Sequence, residues 1–214
     1  MPLIDLTHPI KSGMQVFPGD PNVQLQHALS LATDGVAVMG IHMGSHTGTH
    51  LDAPSHSIEG GRTTSEVLLD ELVGEAAVVH LMGIAAGEEI LWDQIEGQVD
   101  EEIPPIVVLA TGWDRHFGTA AYLDHPVLAL QAAEELWKRG MRLLAVDTLN
   151  PDRTIQSTET MAFPVHQFVL GSGGLIIENV RGASNLPARC RTGFFPLKLD
   201  QADGAPVRAV AWVD

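Results

Sequence analysis

Apolar residues recur along the chain in short runs, and few runs are long enough for helices. Strand signals fall at residues 3–6, 23–31, 36–43, 76–81, 106–111, 143–147, 175–180, 194–199 and 207–213. Residues 23–31 alternate apolar and polar side chains, the period-two pattern of a half-buried strand. The runs IVVLA and LLAV are apolar throughout, which suits strands covered on both faces. Helix signals are fewer. The clearest is DHPVLALQAAEELWKRG, with Pro126 near the first turn, Leu130, Leu136 and Trp137 on an apolar face, and Gly140 as the stop. SEVLLDELVG and EEILWDQIEG predict shorter helices, each ended by glycine. Together these elements predict a strand-rich α/β protein. No repeat, low-complexity tract or long linker divides it, so residues 1–214 read as one domain.

Composition narrows the function classes. Of the 214 residues 45% are hydrophobic, enough to bury a core. Twelve Lys and Arg against 27 Asp and Glu give a net charge of −15. Nucleic acid and anionic membranes both require a basic footprint, so neither is an expected partner. Bound divalent cations would offset part of the acidic excess. The single cysteine, Cys190, allows no intrachain disulfide and fits a reducing cytoplasm. The opening stretch MPLIDLTHPIKSG has neither the charged region nor the continuous apolar run of a signal peptide. No window approaches the roughly 18 apolar residues of a membrane helix. The expectation is a soluble cytoplasmic protein.

The densest chemistry lies in GSHTGTHLDAPSHSIEGG, where His46, His50, Asp52 and His56 follow an H-x3-H-x-D-x3-H spacing. His42, His46 and His50 recur every fourth residue, as on one helix face. Gly40, Gly44 and Gly48 recur with them, and each costs about 1 kcal/mol inside a helix. A strand, VAVMGIHMG, leading into a turn is the better reading. His50 and Asp52, two residues apart, share a face wherever the chain is extended. Imidazole and carboxylate together suit Zn, Mn or Fe, and no thiolate argues for a purely structural zinc. The alternative is a solvated polar loop that happens to be rich in histidine.

HTGTHLDAPSH closely resembles the H-x-G-T-H-x-D-x-P-x-H signature of the cyclase family of metal-dependent hydrolases, which includes the bacterial kynurenine formamidases and isatin hydrolase. DLTHPIKSGMQVFPGDP, RGMRLLAVDTLNPD and PVHQFVLGSGGLIIENV resemble further segments of the family, so the likeness covers nearly the whole chain. It implies a swivelling β/β/α domain, a mixed sheet with a few flanking helices, assembled as a homodimer or homotetramer with active sites near subunit contacts. It also implies a metal set. His46, His50 and Asp52 bind a first ion, Asp52 bridges to a second held by His166 and Glu178, and His56 stays off the metals as general acid/base. Two divalent ions per chain, Zn or Mn, are therefore expected.

The implied reaction is metal-assisted hydrolysis of an amide, imide, lactam or lactone, with His56 moving the proton. An arylformamidase acting on N-formylkynurenine is the leading expectation. The alternatives are a cyclic imide, lactam or lactone hydrolase of the isatin hydrolase type, and a non-catalytic metal or small-ligand binding protein. The off-metal His56 argues against the last, since a binding site has no use for a base. Other signals carry less. GSGG at 171–174 lacks the lysine of a phosphate loop and reads as a turn. No G-x-S-x-G elbow exists, and Cys190 has no histidine near it in sequence. Trp113, after a buried strand, is a pocket candidate, as are Phe17, Pro18 and Phe163, the last close to His166.

Overall fold

A computed structural model describes residues 2–154 and 162–213. The chain runs through β1 (Leu3–Asp5), β2 (Gln24–Leu29), helix α1 (Leu31–Asp34), β3 (Val38–His42) and β4 (His50–Asp52). There follow α2 (Leu69–Leu72), β5 (Val73–His80), β6 (Glu89–Ile90), β7 (Ile106–Ala110), β8 (Val127–Leu128) and α3 (Leu130–Lys138). After them come β9 (Leu143–Val146), α4 (Pro164–Gly171), β10 (Leu175–Glu178), β11 (Arg189–Pro196) and β12 (Gly204–Trp212). The result is a mixed α/β fold in which few helices flank a strand-rich sheet, as the likeness implied.

The apolar runs form the centre. β5, β7, β9 and β10 are parallel neighbours, and every residue of β7, β9 and β10 is buried. Alternate residues feed two separate cores. Val78, Val108, Ala145 and Ile177 pack with Leu51 and Phe194 on one face. Val79, Val107, Leu144 and Ile176 pack on the other, against Leu136 of α3 and Val169 of α4. Burial on both sides is what a continuously apolar parallel strand requires.

Closure of the sheet places the site. The main order is β1-β12-β11-β5-β7-β9-β10-β4, and β4 also pairs with β12, so the sheet returns on itself as a barrel-like ring. β4 is only three residues long. It is wedged antiparallel between β10 and β12, with Glu178 opposite His50 and Gly204 opposite Asp52.

Several expected elements differ. Residues 65–74 yield only a capped 3-10 turn and the four-residue α2, because Val73 and Gly74 are recruited into β5 by pairing with β11. Residues 88–97 are not one helix: Ile90 pairs with Leu128 in the small β6–β8 sheet, and two 3-10 turns follow. That same pairing delays α3 to Leu130, well beyond Pro126. β11 and β12 both begin earlier than their apolar signals, and β11 ends at Pro196. Strands β2 and β3 form as expected, but as a two-stranded hairpin outside the main sheet, exposed everywhere except at half-buried Leu25. Among the described residues no helix is long and apolar enough to cross a membrane.

Candidate metal centre and its cavity

His50 and Asp52 project from one face of β4 while Leu51, between them, is buried in the core. Glu178 ends β10 directly opposite His50. His166 arrives from the first turn of α4, which Pro164 starts and Asp152 caps. The Asp152 carboxylate accepts the backbone N–H groups of Val165 and His166, both at 3.0 Å, and the His166 Nδ1–H at 2.7 Å. Asp152 thus fixes the ring so that Nε2 faces inward. His50 is fixed in the same sense, its Nδ1 held by the Gly48 carbonyl at 2.8 Å.

Four donors converge as a result. His50 Nε2 lies 3.2 Å from Asp52 Oδ1 and 3.3 Å from Glu178 Oε2. His166 Nε2 lies 3.6 Å from Asp52 Oδ2 and 3.1 Å from Glu178 Oε1. A tetrahedral zinc with bonds of about 2.0–2.1 Å separates its donors by about 3.3 Å, so these spacings fit a shared ion. The hydrogen bonding agrees. His50 Nε2, Asp52 Oδ2 and Glu178 Oε1 are fully buried yet none forms an aligned hydrogen bond among the described residues. Buried polar atoms seldom go unpartnered. Donors aimed at a common point instead of at one another are what metal ligation requires.

A second group adjoins the first. His46, Asp52 and His56 offer atoms within 4.8 Å of one another, and Asp52 belongs to both groups. His46 donates from Nδ1 to Asp52 Oδ1 at 2.7 Å and from Nε2 to Asp203 Oδ2 at 2.9 Å. His56 Nδ1 donates to the same Asp203 oxygen at 3.2 Å, and Ser45 Oγ donates to Oδ1. The expected residues His46, His50, Asp52, His56, His166 and Glu178 are therefore all brought together. Around Asp52, His46 and His50 both approach Oδ1 while His166 faces Oδ2. His50 Nε2 also reaches Glu178, and the His46 and His56 rings lie 4.0 Å apart. Gly204 permits this approach, since a Cβ there would lie 2.6 Å from His46 Cε1 and 2.9 Å from the Leu51 carbonyl.

Burial opposes charge on His46, Asp52 and Asp203, and their oppositely charged neighbours outweigh it. Asp52 is held well below the usual carboxylate range by His50 and His46. His46 is pushed up to about 9 by Asp52 and Asp203. Hydrogen bonds from His46 and then His56 hold Asp203 below its ordinary value. The anionic field that raises His46 and His50 would also attract a cation, whose binding would displace their protons.

The donors open into a cavity of about 370 Å³, within the size range of small-molecule sites. Phe17 and Phe163, with ring centroids 6.2 Å apart, form an aromatic part of its wall. The other two pocket candidates lie elsewhere. Trp113 packs one layer behind, clustered with Tyr122 and Leu149, and Pro18 shapes a turn without lining the cavity. Cys190 is buried in the core on β11, where burial raises its thiol pKa.

Three acidic residues escaped the sequence reading. Asp152 follows Asn150 and Pro151, and its backbone N–H donates to Asn150 Oδ1 at 2.7 Å; this turn signature could have marked it. Asp203 lies 157 residues from His46, and nothing local ties it to the site. Asp20 lines the cavity, where burial raises its pKa.

Comparison with known proteins accords with this geometry. A family model described as "Putative cyclase" matches residues 4–153. The kynurenine formamidase of Paracidovorax citrulli (strain AAC00-1) is 30% identical over 223 residues, covering 97% of this chain and 95% of its own. Isatin hydrolase A from Labrenzia aggregata, solved with benzyl benzoate, matches at 25% identity and a TM-score of 0.86, over 98% of this chain and 93% of that one. A solved structure described as a potential metal-dependent hydrolase with cyclase activity matches at 28% identity and a TM-score of 0.78, over 98% and 96%. Converging His, Asp and Glu donors and the match to such enzymes across almost the full length give one answer: this chain belongs to the cyclase family of metal-dependent hydrolases.

Proposed function

We propose that the protein hydrolyses the carbonyl–nitrogen bond of a small aromatic or cyclic amide, with arylformamidase activity on N-formylkynurenine as the leading case. The observation that carries this reading is the convergence of orphaned donors beside His56 in a cavity walled by Phe17 and Phe163. In this reading His50, Asp52, His166 and Glu178 hold one divalent ion, and His46 with Asp52 holds a second, each Zn or Mn. A bound ion supplies Lewis acidity, which acidifies water and draws charge off a carbonyl oxygen. The protein's own groups do the rest. Asp152 and Asp203 keep ligand rings in orientation, as outer carboxylates do in metal sites. Phe17 and Phe163 flank the acyl or aryl group. Asp203 holds His56 Nδ1, leaving Nε2 to take a proton from the attacking water and return it to the leaving nitrogen. The His56 side chain is 32% exposed, which lets it exchange protons with solvent.

Similarity to isatin hydrolase favours a second reading, opening of a cyclic imide, lactam or lactone. Elemental analysis after saturation with Zn or Mn and desalting is expected to give two ions per chain. Turnover of N-formylkynurenine by that preparation is expected to exceed turnover of isatin. Isatin opening without formamide cleavage would transfer the assignment to the second reading, and inactivity on both with metal in place would overturn each.

The exposed hairpin supports self-association. Leu31, Val36 and Ile41 are 71%, 52% and 61% exposed, and residues 24–43 carry one charged side chain, Asp34, in a chain of net charge −15. Such a surface can meet its copy without charge repulsion, and its 20 residues match one side of a standard interface, about 20–30 residues. A dimer or tetramer is the proposed state, in a reducing compartment such as the cytoplasm. Sedimentation is expected to show that state for the wild type and a folded monomer for Ile41→Lys; a monomeric wild type at micromolar concentration would refute it.

A further inference from the structure

The segment Phe17-Pro18-Gly19-Asp20 closes on itself, the Asp20 backbone N–H donating to the Phe17 carbonyl at 3.0 Å. Pro18 presets φ at the second position, and Gly19, at φ 105°, supplies the positive φ that the third position of a type II turn needs. The turn therefore delivers its two ends. Phe17 and Asp20 both line the cavity, and the two residues between them do not.

Asp20 is the unexplained end. Its carboxylate is half-buried in a cavity shared with His46, His50, His56 and Glu178, and among the described residues no side chain or backbone N–H donates to it. The neighbouring histidines already spend protons elsewhere: His46 on Asp52 and Asp203, His56 Nδ1 on Asp203, His50 Nδ1 on the Gly48 carbonyl. A carboxylate withdrawn from water lowers its cost by accepting a hydrogen bond, so a ligand entering this cavity is favoured if it brings a donor.

We propose that Asp20 accepts the N–H of the scissile amide, which makes it a specificity-determining residue for secondary amides. This rests on the hydrolase reading above. Water oxygen bonds to the carbonyl carbon, the carbon–nitrogen bond breaks, and one water proton passes through His56 to the nitrogen. The nitrogen's original N–H stays on Asp20 throughout, turning its lone pair toward the proton. An ester presents an oxygen lone pair to the same carboxylate and an N-methyl amide presents a methyl group, so both are disfavoured there.

The test compares formanilide with N-methylformanilide, whose leaving groups, aniline and N-methylaniline, both require protonation of nitrogen, and which differ in the amide N–H. Metal-loaded wild type is expected to favour formanilide in kcat/KM by about 10–100-fold, the range for a hydrogen bond to a charged group. Asp20→Ala should lose most of that preference through formanilide alone, with metal content unchanged. Asp20→Asn, which keeps a neutral oxygen acceptor, should fall between and carries the test if the alanine variant does not fold. A preference that survives in both variants overturns the proposal, as does an equal loss on both substrates or a parallel loss of metal. A metal-loaded wild type inactive on both substrates and on N-formylkynurenine would overturn the hydrolase reading and this inference with it, a result distinct from an active enzyme whose preference ignores Asp20.

Discussion

Asp52→Ala is expected to leave the protein folded, to strip it of bound divalent ion and to abolish turnover. Asp52 is the one residue common to both donor groups, with Oδ1 toward His46 and His50 and Oδ2 toward His166. Removing an outer partner of a metal ligand typically costs about 10–100-fold in affinity or activity. Loss of a carboxylate shared by two groups should exceed that. Glu178→Ala, which touches only the His50 group, should be no more damaging. Circular dichroism and elemental analysis of Asp52→Ala, Asp52→Asn and Glu178→Ala provide the comparison. Full metal content in Asp52→Ala would show that the shared carboxylate is not a ligand.

His56→Ala is expected to separate metal binding from chemistry. If His56 is the proton carrier, the variant keeps fold and metal while turnover of amides falls by about 10²–10⁴-fold, the usual cost of losing a general acid or base. The deficit should be largest for poor amine leaving groups, which depart only when protonated, and smaller for activated esters. The geometry makes this a sharp question, because His56 stands close enough to His46 and Asp52 to be a ligand instead. Metal lost in proportion to activity would assign it that role. Metal and activity both retained would place the base elsewhere.

The local signals along the chain determined a great deal. The apolar runs at 106–110 and 143–146 read correctly as strands covered on both faces, because a side chain's preference for burial is carried by its own chemistry. The histidine-aspartate spacing and its likeness to the cyclase signature singled out His46, His50, Asp52 and His56, which the structure brings close together. That worked because residues crowded in one short stretch need no long-range information to be noticed. Where the chain's fate depended on partners far away, local pattern was a poor guide. Residues 88–97 carry helical periodicity, yet Ile90 is claimed by Leu128 across a parallel pairing. Only the tertiary structure could bring residues from distant segments to one point, since it is the β4–β10 register that sets Glu178 against His50. Asp203 shows the limit most plainly. It reaches His46 and His56 because β12 closes the ring onto β4, with Gly204 yielding the space beside it. An aspartate before a glycine signals no more than a turn. The closure that makes it part of the site is a property of the whole sheet, decided by packing on both of its faces, and the neighbouring Gly204 only leaves room for it.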